Sequence, residues 1–203
     1  MTIQEIFVFN QILDGQEICF LPELSEVKIT EPLDHAIKDS LIRKGFLENR
    51  DRLTEQGFLI TRMLMDYKTA SKHIKIMSLS IGISNSEEAV MINKLSEKEY
   101  DIAVIDIKDI TTQLLETFDF LNNASDSKTL EEIKIRADKL EKIYNYESNY
   151  FKLQTKFNQT STDEAYFLAD NQLYMYDYKR RLLYPKSQID IINVFKERLE
   201  AQA

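Results

Sequence analysis

The sequence predicts an α+β fold, with strands pooled into a quasi-twofold central antiparallel sheet and helices grouped at both sides. Three observations predict it. Apolar residues recur at helical spacing over 31–70, the spacing turns to period two from Ser78 onward, and a strand meander closed by a helix occurs twice. The reading is one α+β domain over 1–203, with an N-terminal helical hairpin over 31–70 and an internal repeat over about 73–122 and 149–201.

The first helix of the hairpin is EPLDHAIKDSLIRKG. Pro32 suits the first helical position, and Leu33, Ala36, Ile37, Leu41 and Ile42 form an apolar stripe. Gly45 supplies a left-handed cap, and Phe46 folds back on the last turn. Leu47 and Leu53 flank a polar loop, and Thr54 caps a second helix striped by Phe58, Ile60, Met63, Leu64 and Tyr67.

The connection GFLENRDRLTEQG, from Gly45 to Gly57, has the grammar of a winged-helix turn and wing. A DNA-reading helix needs basic and amide side chains outward. Here the outward residues are Asp34, Lys38, Asp39, Arg43 and Lys44, and the loop sets Glu48 and Asp51 beside Arg50 and Arg52. Carboxylates facing phosphate oppose binding, so a helical hairpin around its own small core is the preferred reading.

The meander begins with SLSIGIS, which places Leu79, Ile81 and Ile83 on one face and Ser78, Ser80 and Gly82 on the other. SNSEE and SEKE are turns, and EAVMINKL and YDIAVID are the next strands. Asp109 caps a helix striped by Ile110, Leu114, Leu115, Phe118 and Leu121. A charged amphipathic helix follows over SKTLEEIKIRADKLEKIYNY, with Leu130, Ile133, Ala137, Leu140 and Tyr144 inward.

YFKLQTKF, EAYFLA and QLYMYDY then read as strands, with Asp170 and Asn171 in a tight turn, and SQIDIINVFKERLEA closes the chain as a helix. The repeat rests on two matches. Asn85–Asn93 aligns with Ser161–Ala169, and Leu114, Leu115 and Phe118 align with Ile191, Ile192 and Phe195.

Little chemistry is visible. The 4 glycines are scattered and make no phosphate loop, and His35 and His73 belong to no ligand pattern. Both histidines read as surface residues. Cys19 is the single cysteine, so neither an internal disulfide nor a cysteine metal cluster is available. Capping explains Asp106 and Asp109. The expectation is a protein without catalytic, metal or cofactor residues, and not an enzyme.

A net charge of -8 opposes binding to nucleic acid and to anionic membranes. The start MTIQEIFVFNQ has no basic region before an apolar core, and no window has the roughly 20 apolar residues of a membrane span. Localisation is therefore expected to be cytoplasmic, without membrane insertion.

One run suggests binding. Tyr174, Tyr176 and Tyr178 alternate on one strand face, and Lys179, Arg180 and Arg181 follow. Tyrosine and arginine are favoured in protein interfaces, so Tyr174, Tyr176, Tyr178, Arg180 and Arg181 are the candidate partner-binding residues. Ordinary packing of a sheet face under a helix is the other reading of the same pattern.

The order of elements, from ICFLPEL through LIRKGFL and the LTEQG helix start to the duplicated meander, resembles the EspG-like proteins. These are cytoplasmic, substrate-specific chaperones of type VII (ESX/Ess) secretion. More narrowly, the chain is similar to the EsaE-like branch of Gram-positive Ess clusters. That resemblance implies a quasi-twofold antiparallel sheet flanked by two helical bundles, with no catalytic residues.

It also implies a secreted type VII substrate or toxin complex as partner, held soluble and delivered to the membrane secretion ATPase. The turns SNSEE and SEKE are shorter than the sheet loops with which actinobacterial members grip their partners. Two further readings are a winged-helix DNA-binding regulator and an immunity-type protein that neutralises a toxin by binding it.

Overall fold

The computed structural model describes residues 1–22, 29–85, 87–122, 132–140 and 149–199. Among these, the helices are α1 (Ile3–Leu13), α2 (Glu31–Arg43), α3 (Glu55–Lys68), α4 (Ile107–Thr117), α5 (Ala137–Leu140) and α6 (Gln188–Leu199). The strands of the first half are β1 (Leu47–Asn49), β2 (Arg52–Leu53), β3 (Lys72–Ile76), β4 (Leu79–Ile83), β5 (Glu88–Lys94) and β6 (Tyr100–Asp106). Those of the second half are β7 (Ile133–Lys134), β8 (Tyr150–Phe157), β9 (Thr160–Ala169), β10 (Gln172–Asp177) and β11 (Leu182–Lys186).

The fold is α+β, built on a 9-stranded antiparallel sheet in the order β6-β5-β4-β3-β8-β9-β10-β11-β7. At its middle β3 lies antiparallel to β8, with Ile74 opposite Thr155. From that pair the strands run outward in chain order on each side, β3 to β6 and β8 to β11, and each run is followed by a helix, α4 or α6. The first hairpin of each run turns on a residue in the left-handed region, Met77 at φ 53° and Asn158 at φ 52°.

This order does not follow the residue match drawn from the sequence. Asn85–Asn93 spans β5, the third strand of its run, whereas Ser161–Ala169 spans β9, the second. On the helices, Ile110 and Leu114 are the buried pair of α4, and Ile191 and Phe195 are the first buried pair of α6. Leu114 therefore stands one turn away from the position matched to Ile191. Alternating strands align at any even offset and helices at any turn, which is why the sequence match slipped.

Both runs also have 4 strands where the sequence showed three, the added ones being β3 and β11. Four of the five residues of β3 are buried, Lys72 and His73 among them, and four of the five of β11 are half-buried, so in neither strand does burial alternate along the chain.

One sheet face is shared by both halves. Ile74, Ile81, Phe151, Leu153 and Tyr166 pack there under Ile110 and Leu114 of α4 and Ile191 and Phe195 of α6. Phe151 stacks on Tyr166 with ring centroids 5.0 Å apart, and Phe195 closes on Phe151 at 5.5 Å. The opposite face is divided. Its first half (Val90, Ile92, Ile102) is covered by Ile6, Phe9, Leu41, Leu64 and Tyr67 of α1–α3, and its second (Ala165, Phe167, Tyr176, Leu183) meets Leu140 of α5.

Helix α1 is absent from the sequence expectation. Thr2 and Glu5 form a capping box at its start, and Glu5 through Asn10 are all buried. A helix buried on every side shows no polar face to reveal its period.

The hairpin 31–70 contains its two helices, but both pack against α1 rather than around a core of their own. Gly45 takes the left-handed conformation at φ 78°, and the Thr54 hydroxyl accepts from Gly57 N at 3.1 Å, both as the sequence predicts. The polar loop is a two-stranded ribbon, β1 with β2. Leu33, Ala36 and Phe58, placed inward by periodicity, are exposed.

Two further elements differ. The cap of α4 is Asp106, which accepts from Lys108 N at 2.9 Å, and Asp109 lies in the first turn. The helix expected over SKTLEEIKIRADKLEKIYNY is replaced, where described, by the edge strand β7 and the single turn α5. Ile133 is exposed in that strand and Leu140 is buried; Leu130 and Tyr144 lie outside the described residues. The Asp170-Asn171 turn is as expected, with φ 49° and 60° in the left-handed pattern of a tight hairpin.

Candidate partner-binding surfaces

Tyr174 and Tyr176 lie on β10 and Tyr178 just past its end, and the three rings pack in one cluster, on the face opposite Leu173 and Met175. Tyr176 has 0% exposure, and its hydroxyl donates to Ile135 O at 3.0 Å. Burial pushes the Tyr176 hydroxyl above the ordinary phenol range. The chain's own Ile135 and Leu140 cover this ring, so Tyr176 is a core residue and offers nothing to a partner.

Tyr174 and Tyr178 are half-buried. Tyr174 stacks on Phe167 at 5.6 Å between centroids, and the Lys152 ammonium stands 4.6 Å from the Tyr178 ring. Lys179, Arg180 and Arg181 are exposed in the β10–β11 turn. Lys179 N and Arg180 N both donate to Asp177 Oδ1, at 2.8 and 2.9 Å, and Arg181 adopts φ 57°. This is turn chemistry, which the basic cluster serves while facing solvent.

His73 is buried within β3 instead of lying on the surface. Its Nε2 makes a 2.7 Å hydrogen bond with Tyr67 O, and burial holds its pKa below the ordinary histidine value. His35 is exposed on α2, as expected. Cys19 is half-buried, and burial pushes its thiol pKa up. Among the described residues no three His, Cys, Asp or Glu side chains are grouped to hold a metal. No helix of the described residues is long and apolar enough to cross a membrane.

One depression was not legible in the sequence. It is an open groove of about 1030 Å³ between α1, the β1–β2 ribbon and α3, with an apolar floor of Val8, Ile12, Leu47, Leu53 and Phe58. Ile12 is 49% exposed and Phe58 64% exposed.

The basic side chains that line the groove are already matched within the chain. Arg50 forms a forked pair with Asp39 at 3.0 to 3.1 Å, Arg52 meets Glu48 at 3.1 Å, and Lys38 meets Asp34 at 3.0 Å. Each arginine of the ribbon thus faces a carboxylate of the same chain. Asp51 and Glu55, which also line the groove, have no ion-pair partner among the described residues, so a partner laid on this floor meets apolar surface beside free negative charge.

Phe58 points outward because Gly57 beside it is pinned. A Cβ on Gly57 would stand 2.1 Å from Phe46 O and 3.0 Å from Leu53 Cδ2. The backbone of α3 therefore rests directly on the start of the ribbon, and its next residue is turned to the groove.

Comparison with curated proteins found no match. A family model described as "Domain of unknown function (DUF5081)" matches residues 1–202, so the chain belongs to that family.

Proposed function

We propose that this protein is a chaperone or adaptor of the bacterial cytoplasm, working by binding and not by catalysis, that holds a type VII secretion substrate until export. The observation that carries the reading is the pair of exposed apolar side chains Ile12 and Phe58 in a groove also lined by the more buried Val8, Leu47 and Leu53. Its occupant is an amphipathic helix of the secreted partner, laid apolar side down.

The charge pattern supports a helix over a nucleic-acid strand. Lys38, Arg50 and Arg52 are paired with carboxylates, and Asp51 and Glu55 add negative charge, so the groove presents apolar area and no unpaired cation for a phosphate backbone. The sheet order, symmetric about β3 and β8 with a closing helix on each side, is compatible with the quasi-twofold repeat and with the EspG-like resemblance of the sequence. A complete interface of the standard size, roughly 1,600 Å², extends beyond the groove onto neighbouring surface. Affinity in the nanomolar to micromolar range, about 8 to 12 kcal/mol, permits both capture and release.

The test is co-expression with helical secretion substrates encoded beside the gene. The expected result is a stable complex, and substrate that is less soluble when this chain is omitted. Recovery of soluble substrates with none retained contradicts the reading. Inhibition of a co-encoded toxin's activity on binding would instead assign the immunity-type role.

A further inference from the structure

The central strands carry a second surface. Opposite the core side chains Ile74 and Leu153, β3 and β8 present Lys75, Lys152, Gln154 and Lys156. Two depressions of about 530 and 480 Å³ lie over them and share Lys75, Met77 and Ser78. They have no lining residue in common with the α1–α3 groove.

Four lysines line this cleft, Lys75, Lys94, Lys152 and Lys156, in a chain of net charge -8. Among the described lining residues, Glu17 is the only carboxylate. Lys152 is paired with Asp163 at 2.9 Å. Lys75, Lys94 and Lys156 have no carboxylate partner among the described residues.

Phe20 gathers two of the unpaired ammoniums. Its ring centroid lies 5.9 Å from Lys75 Nζ and 5.3 Å from Lys156 Nζ. To reach that place Phe20 adopts φ 63°, the left-handed region that a bulky side chain rarely occupies. The chain thus holds a residue of rare backbone conformation where it concentrates like charge, and an anionic group would relieve the repulsion between the ammoniums.

We infer that this cleft is a binding site for an acidic, extended polypeptide segment. Charge complementarity names the occupant. Along β8, Lys152 and Lys156 are four residues apart, about 13 Å, which matches carboxylates four residues apart on the same face of an extended peptide. Both central strands are already paired on each side, so recognition runs through side chains and not through strand addition. A long polyanion is disfavoured because the chain is strongly acidic overall, whereas a short acidic segment needs only the cleft. This inference stands apart from the helix groove and survives its failure.

The test is fluorescence anisotropy of a labelled peptide of about ten residues with glutamate at alternate positions, titrated with the full chain. Saturable binding is expected that weakens as salt rises from about 50 to about 300 mM. The Lys75→Gln/Lys156→Gln double variant should weaken it at least roughly tenfold, and Lys98→Gln, in the exposed SEKE turn, should not. Phe58→Asp should leave peptide binding unchanged, which separates this site from the groove. Circular dichroism checks folding, and the exposed Lys94→Gln alone should still give a smaller loss should the double variant unfold. Absence of binding at low salt, equal binding by the double variant, or tighter binding of a single-stranded oligonucleotide of equal charge overturns the inference.

Discussion

Replacing Glu5 probes the joint between the first two helices. Its side chain is only 3% exposed and gathers four donor contacts. Thr2 N donates at 2.8 Å, Ser40 Oγ at 2.9 Å, and Lys44 Nζ reaches both oxygens at 2.8 and 2.9 Å. The carboxylate thus caps α1 while tying down the end of α2. Glu5→Gln keeps the shape and one acceptor but removes the charge.

Charge-assisted hydrogen bonds contribute about 1.5 to 3 kcal/mol each when buried. Lys44 is 43% exposed and recovers part of its hydration when released, so the net expectation for Glu5→Gln is about 1.5 to 3 kcal/mol. Glu5→Ala also loses half of the capping box, worth about a further 1 kcal/mol. Urea unfolding measures this as a lower midpoint at constant slope. Combined with Lys44→Met, the variants should show a coupling of about 1 to 2 kcal/mol.

The pH dependence fixes the sign. Burial raises the Glu5 pKa, but the bonds from Lys44, Thr2 and Ser40 outweigh it and lower the folded value below 4.5. The unfolded state therefore takes up the proton first as pH falls. The contribution is complete above about pH 4.5 and is lost as pH falls through the folded value, so the gap to Glu5→Gln should narrow there. A Glu5→Gln loss below about 0.5 kcal/mol, additivity with Lys44→Met, or a gap that widens in acid refutes this account of the joint.

Two further outcomes follow from the packing. Gly57→Ala should destabilise by about 2 to 4 kcal/mol, although alanine favours helix, because its Cβ would collide with Phe46 O; thermal unfolding reads this directly. Tyr176→Phe should cost about 1 to 2 kcal/mol by leaving Ile135 O unpaired, and it should leave partner binding intact, which a binding assay beside urea unfolding resolves.

What the sequence revealed was mostly local. The left-handed turn at Gly45, the Thr54 cap and the Asp170-Asn171 hairpin each depend on neighbours in the chain, and the structure has them where expected. The α+β class followed from the change of period at the meander. Helix α1 escaped because Glu5 through Asn10 are buried in an unbroken run, so no polar side marks a face there, and β3 because three of its five residues, Lys72, His73 and Lys75, are polar. His73 was misplaced with β3.

The candidate site divided in the same way. Tyrosines at alternate positions do share a face, but β10 alone does not say that Ile135 will cover Tyr176. Phe58 is the reverse case. Helical spacing places it inward, yet Leu64 and Tyr67 take the buried side and the ribbon holds Gly57, so Phe58 is left facing out. Which apolar residue is covered depends on three elements at once.

Hydrogen exchange of the chain with and without a secreted substrate tests the proposed helix groove most directly. Protection on binding is predicted over α1, the β1–β2 ribbon and the start of α3, and Phe58→Asp should abolish it together with at least about 2 kcal/mol of affinity. Protection confined to other surfaces, or a Phe58→Asp variant that binds as the parent does, would contradict it.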